Sequence, residues 1–175
     1  MMKNESNVVK STNKASRRWL PMVLGAVVGF VFCGLIVVVV MPGMMIVTTE
    51  CEKDFDATVE QLQTQIHDQG WVVVGGKPSS MNESLAKQGH ELKPRVTLVK
   101  LCQADYAESI LKTDRHMACL MPCSIAVWEG DDGKTYLSKM NVGLMGKLFG
   151  GNIAKVMGGY VAADEKVILS GLVKL

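Results

Sequence analysis

The chain has 175 residues, 48% of them hydrophobic and 21% charged, and its 19 Lys and Arg nearly balance its 17 Asp and Glu. That balance excludes a disordered polyelectrolyte and a polybasic nucleic-acid arm, and 5 cysteines are too few for a disulfide-built scaffold. The apolar residues are unevenly spread, however, and their distribution divides the chain.

Residues 1–18 carry Lys3, Lys10, Lys14, Arg17 and Arg18 against Glu5 alone, and read as a basic cytoplasmic tail without regular structure. From Trp19 to Val47 there is no charged residue. As helix, Trp19 to Met41 alone would extend ~35 Å, against a hydrocarbon layer of ~30 Å. Residues 19–47 are therefore expected to form a single transmembrane helix, stopped or kinked by Pro42-Gly43. The run is about twice the apolar part of a cleaved secretory signal, and Met44 to Glu50 offers no small-residue cleavage site. Glu50, Glu52, Asp54, Asp56 and Glu60 follow, opposed by Lys53. The positive-inside rule then keeps the tail in the cytoplasm and the remainder outside, which in a two-membrane cell means a helix in the inner membrane and a domain in the periplasm. The bilayer is the first expected partner. Gly25 and Gly29, one turn apart, offer a close-approach face for a homodimer or a larger membrane complex.

Residues 48–54 read as a linker and 55–175 as an extracytoplasmic domain. Phe55, Val59, Leu62 and Ile66 recur at helical spacing behind Asp54 and Asp56, and Gly70 ends that helix. Trp71 to Val74 is an apolar, β-branched run expected as a buried strand. Ser80-x-x-Glu83 is a capping box for a short helix ending at Gly89. Val96 to Leu101 reads as a second strand, and Ala104 to Lys112 as a third helix. Met117 to Met121 and Cys123 to Glu129 are expected as strands broken at Pro122, which has no ladder N–H. Asp131-Asp132-Gly133 turns the chain into a hairpin partner, Lys134 to Met140. Val142 to Phe149 and Ile153 to Ser170 read as helices parted by Gly150-Gly151. These elements make an α+β fold, an antiparallel sheet of about four or five strands covered by helices on one face.

Phe55-Asp56-x-Thr58-Val59, Lys100-Leu101-Cys102, Leu120-Met121-Pro122-Cys123-x-x-x-Val127-x-Glu129 with Asp132-Gly133, and Met140-Asn141-x-x-Leu144-Met145 together resemble the family called domain of unknown function 302. The resemblance covers about Phe55 to Leu169. It implies the same α+β fold and no reaction, because the family has none assigned. Cys102 and Cys123 match its characteristic cysteines, whereas Cys33, Cys51 and Cys119 lie outside the pattern.

On a strand, Met117, Cys119 and Met121 would share one face, joined by Cys123 if Pro122 makes no bulge. Such a stripe is either core or a soft-donor surface, since thiolates and thioethers select Cu(I). Cys102 and Cys123, at the end of one strand and the start of another, can form a disulfide if those strands pair. Glu129 ends an apolar strand, either as a buried carboxylate marking a site or at the hairpin mouth near Lys134. His67, His90 and His116 are isolated, and no metalloprotease, nucleophile-elbow or phosphate-loop motif occurs. The expectation is a tethered binding or accessory module without cofactor, catalytic residue or nucleic-acid partner. Its tentative ligand site is Met117, Cys119, Met121, Cys123 and Glu129. The alternative is a thiol-redox or soft-metal module on Cys102, Cys119 and Cys123, with copper or haem as its cofactor.

Overall fold

A computed structural model describes residues Val9–Lys174 of the chain. Helix α1 runs Val9–Met45 and includes both Pro21 and Pro42. Its segment Pro21–Met45 has a mean hydropathy of 3.0 and is long and apolar enough to cross a membrane. Two features differ from expectation. Residues 9–18 of the tail are helical, while residues 1–8 lie outside the described part. Pro42 does not stop the helix, because the one hydrogen bond it forgoes falls in the last turn.

The chain divides into two units, Met1–Gly43 and Met44–Leu175. In the second, β1 (Ile46–Glu50) takes the last two residues expected in the membrane helix and the first three of the expected linker. It pairs antiparallel with β6 (Thr135–Met140), Thr48 opposite Ser138 and Glu50 opposite Tyr136. Val47, Thr48 and Thr49 are β-branched, so this run carries strand propensity that its acidic neighbours masked. Glu50 is further tied to Lys134 and Lys174.

The remaining strands are β2 (Val72–Val73), β3 (Ser79–Ser80), β4 (Val96–Cys102) and β5 (Cys123–Glu129). Their order is β1-β6-β5-β4-β2, with β3 also on β4, and every pairing is antiparallel. The β5–β6 hairpin closes where expected: the Asp132 side chain accepts from the Lys134 N–H at 3.1 Å.

One face of the sheet is apolar. Val99 and Leu101 of β4, Ile125 and Val127 of β5 and Leu137 of β6 are buried at alternate positions. Against it lies α2 (Phe55–Asp68), burying Phe55, Thr58, Leu62 and Ile66 and capped by Asp54, which accepts from the Ala57 N–H at 2.9 Å. Ser80 caps α3 (Met81–Ala86), accepting from the Glu83 N–H at 3.2 Å, so the cap half of the expected capping box is formed. Helix α4 (Ala104–Thr113) contributes Ile110 to the same core.

The C-terminal run is α5 (Val142–Phe149), α6 (Gly151–Lys155), a stretch of π-helical turns at Val156–Val161, and α7 (Ala162–Ile168). Gly150 has a φ of 70°, which glycine adopts without a Cβ penalty, and it separates α5 from α6. The wide π turns coincide with the closest approach to α5. A Cβ on Gly146 would lie 2.6 Å from the Gly158 amide nitrogen. Trp71 holds the far end of this run, its indole N–H donating to Asp164 at 3.0 Å.

Candidate functional site

The segment expected as a strand over Met117–Met121 is instead a 3₁₀ helix, Arg115–Leu120. His116 to Met121 contains no Val, Ile, Thr, Tyr, Phe or Trp, the residues that favour an extended chain. The Met117 N–H bonds back to Asp114 and the Met121 N–H to Ala118, at 3.0 and 3.2 Å. The common strand face for Met117, Cys119 and Met121 is therefore not formed. Met117 is buried, Cys119 exposed, and Met121 and Cys123 half-buried.

Those four residues nevertheless converge. With Pro122 and Leu120 they form one wall of a cavity of about 370 Å³ at the end of the sheet where β5 begins and β6 ends. Met145 of α5, Ile153 of α6, Met157 of the π turns and Met140 of β6 also line it. Five thioethers and two thiols thus meet in one chamber, contributed by stretches up to forty residues apart. The volume lies within the range of small-molecule sites, ~300–1,000 Å³.

Glu165 of α7 also lines the chamber, although it is only 4% exposed. Lys139 of β6 donates to its Oε2 at 2.5 Å. Burial pushes the Glu165 carboxyl above the usual glutamate range, and the Lys139 ammonium opposes that shift. Burial likewise pushes the Cys123 thiol up to about 11, with the Glu165 carboxylate adding to it. A thiol held so firmly protonated is a poor nucleophile.

Two expected site features fall elsewhere. Glu129 is not in the chamber. It sits at the hairpin mouth paired with Arg95 at 2.7 Å rather than with Lys134, and Arg95 also binds Asp56 at 3.1 Å and covers the Phe55 ring at 4.2 Å. The Arg95 hydrogen bond holds the Glu129 carboxyl below the usual range, the reverse of a desolvated catalytic acid. The Cys102–Cys123 bridge is not formed either. All five cysteines are free; the ladder places Leu101 opposite Cys123, and Cys102, the next residue, lines a small cavity together with Cys123. Among the described residues no three His, Cys, Asp or Glu side chains cluster to hold a metal ion.

The two glutamates provide a direct check. In a carboxyl titration followed by NMR, Glu129 should titrate below the ordinary glutamate value and Glu165 above it. Their linkage to folding has opposite signs. The Glu129 contribution is present above the ordinary value and lost as pH falls through its depressed one. Glu165 favours the fold below the ordinary value, and that contribution fades as pH rises through its raised one. Two coincident titrations would contradict the geometry.

Sequence reasoning missed Met140, Met145, Met157, Lys139 and Glu165. For Glu165 a signal existed: Val161, Glu165, Ile168 and Leu172 follow one another at steps of four, three and four, which puts the carboxylate on a buried stripe.

The comparisons with known proteins bear on fold. The profile of the family described as Domain of unknown function DUF302 matches residues 47–166. An uncharacterized protein of Aquifex aeolicus (strain VF5) is 36% identical over 58 residues, 33% of this chain and 40% of that protein. The match thus spans about two fifths of the relative's length. The crystal structure of an uncharacterized conserved DUF302 protein from Bacillus stearothermophilus superimposes with a TM-score of 0.63 at 16% identity, covering 73% of this chain and 98% of the other.

Proposed function

The chain belongs to the DUF302 family, and from that premise we propose that it is a membrane-tethered module whose chamber binds a small apolar molecule without covalent chemistry. One observation carries the reading: flexible, polarisable methionines from four separate stretches close around one space, with Lys100, Ser124 and Glu165 as its polar wall groups. Methionine fills irregular gaps and repacks readily, which suits a surface that must accept a guest. Helix α1 is the anchor, with its basic flank in the cytoplasm and the domain on the other side, in the periplasm of a two-membrane cell. Tethering confines the domain beside the bilayer and raises its effective concentration toward membrane partners. Protease added to intact spheroplasts should digest residues 44–175; a protected domain would refute this orientation.

Titrating ethylbenzene into full-length protein in detergent, with methionine methyl groups labelled with ¹³C, tests the binding reading. The resonances of Met117, Met121, Met145 and Met157 should shift with a saturable isotherm, while that of Met22 on α1 stays fixed. Unmoved chamber resonances would end it. The second reading, a soft-metal site, is favoured by the seven sulfur side chains in the chamber wall. The same methyl groups report on it with Cu(I) as titrant, and a stoichiometric Cu(I) response without any ethylbenzene response would put it first.

A further inference from the structure

The chamber's one buried charged wall residue says more about the guest, in an argument that rests on the binding reading above. Glu165 is tied to Lys139 through Oε2 alone, and among the described residues no donor reaches Oε1. Lys139 does not line the chamber; it opens onto a groove with Asn141, Lys147 and Lys166, and Glu165 lines both that groove and the chamber. A guest in the chamber therefore meets the Glu165 side chain and not the Lys139 ammonium. The other charged wall residue, Lys100, is exposed.

We infer that the chamber selects a small neutral aromatic molecule bearing a hydroxyl group, a phenol, whose O–H donates to Glu165 Oε1. Each part of this class follows from the wall. Glu165 Oε1 has no protein donor and is not sealed from water, so a guest that displaces that water must supply a donor in its place. A neutral donor fits better than a cation, because Lys139 already balances Glu165 and a further buried charge would have no partner. An aromatic frame fits better than an alkyl one, because thioether sulfurs make favourable contacts at ring edges.

The test compares 4-ethylphenol, ethylbenzene and 4-ethylbenzylammonium on the full-length protein in detergent, using the methionine methyl shifts as the readout. 4-Ethylphenol should bind about tenfold more tightly than ethylbenzene, the scale of one hydrogen bond to a charged acceptor, and more tightly than the ammonium. In the double variant Lys139→Met/Glu165→Leu, which removes both charges together so that neither is left buried alone, ethylbenzene should still bind and the phenol's advantage should vanish. Glu165→Gln, which keeps a neutral acceptor, should retain part of it. Equal affinities for phenol and ethylbenzene in the unaltered protein, an advantage that survives in the double variant, or tighter binding of the ammonium would each overturn the inference while leaving the binding reading intact. No response to any of the three would overturn both.

Discussion

Replacing Lys139 by methionine is expected to destabilise the 44–175 unit by about 3 kcal/mol, the lower end of what breaking a buried ion pair costs. The lower end applies because the Lys139 side chain is 18% exposed against 5% for Glu165. The loss arises less from the missing attraction than from the carboxylate left behind in an apolar cavity with no donor. Two controls follow from that cause. The double variant Lys139→Met/Glu165→Leu should recover most of the stability, since paired apolar replacements of a buried ion pair are often neutral or better. The single variant's deficit should also shrink as pH falls, because burial already raises the Glu165 pKa and removing the ammonium raises it further. Protonation then relieves the penalty, so stability is regained toward low pH and lost as pH rises. Urea unfolding followed by tryptophan fluorescence at several pH values measures all three. A double variant no more stable than the single one would mean that the pair acts through packing rather than charge.

The second large effect concerns the glycine contact beside the chamber. Gly146→Ala places a methyl group 2.6 Å from the backbone nitrogen of Gly158 and 2.9 Å from its Cα, and backbone atoms cannot rotate away. The cost should be about 1–3 kcal/mol, as for other overpacked sites, and the displaced helices should alter the Met145 and Met157 methyl resonances. The reciprocal change is mild. A Cβ on Gly158 would meet the Gly143 carbonyl oxygen and the Gly146 Cα at 3.7 Å, ordinary contact distances. Gly158→Ala should therefore lie near neutrality, or gain a few tenths of a kcal/mol by reducing the freedom of the unfolded chain. Comparable losses for both variants would contradict this packing.

The fold was legible where local signals agreed with the final environment. The α2 stripe Phe55, Leu62 and Ile66, the Ser80 cap, the Asp132-Gly133 turn and the Gly150 break each depend on neighbouring residues, and each stands where its pattern puts it. Strand β1 was hidden because its partner, β6, lies some ninety residues away; only that pairing makes Ile46–Glu50 part of a sheet. The Met117–Met121 stretch misled for a related reason. Alternation of sulfur residues resembles a strand face, but the backbone follows propensity and hydrogen-bonds to Asp114.

The candidate site was half visible. Met117, Cys119, Met121 and Cys123 belong to the chamber, but on a 3₁₀ helix and a strand start rather than on one pleat. Glu129 has the sequence context of an active carboxylate and lost that role to Arg95, thirty-four residues away. Glu165 had the context of a surface helix acid and became the buried one. Which carboxylate is desolvated depends on tertiary neighbours, and these are not encoded at short range.

The central claim, that the sulfur-lined space is a binding site, is tested most directly by diffraction from full-length protein crystals soaked with 4-bromoethylbenzene. One saturable anomalous bromine peak is expected inside the chamber, among Met117, Met145 and Met157 and within van der Waals distance of their sulfurs. Bromine found only against α1 or at the molecular surface, with the chamber walls closed on one another, would contradict it.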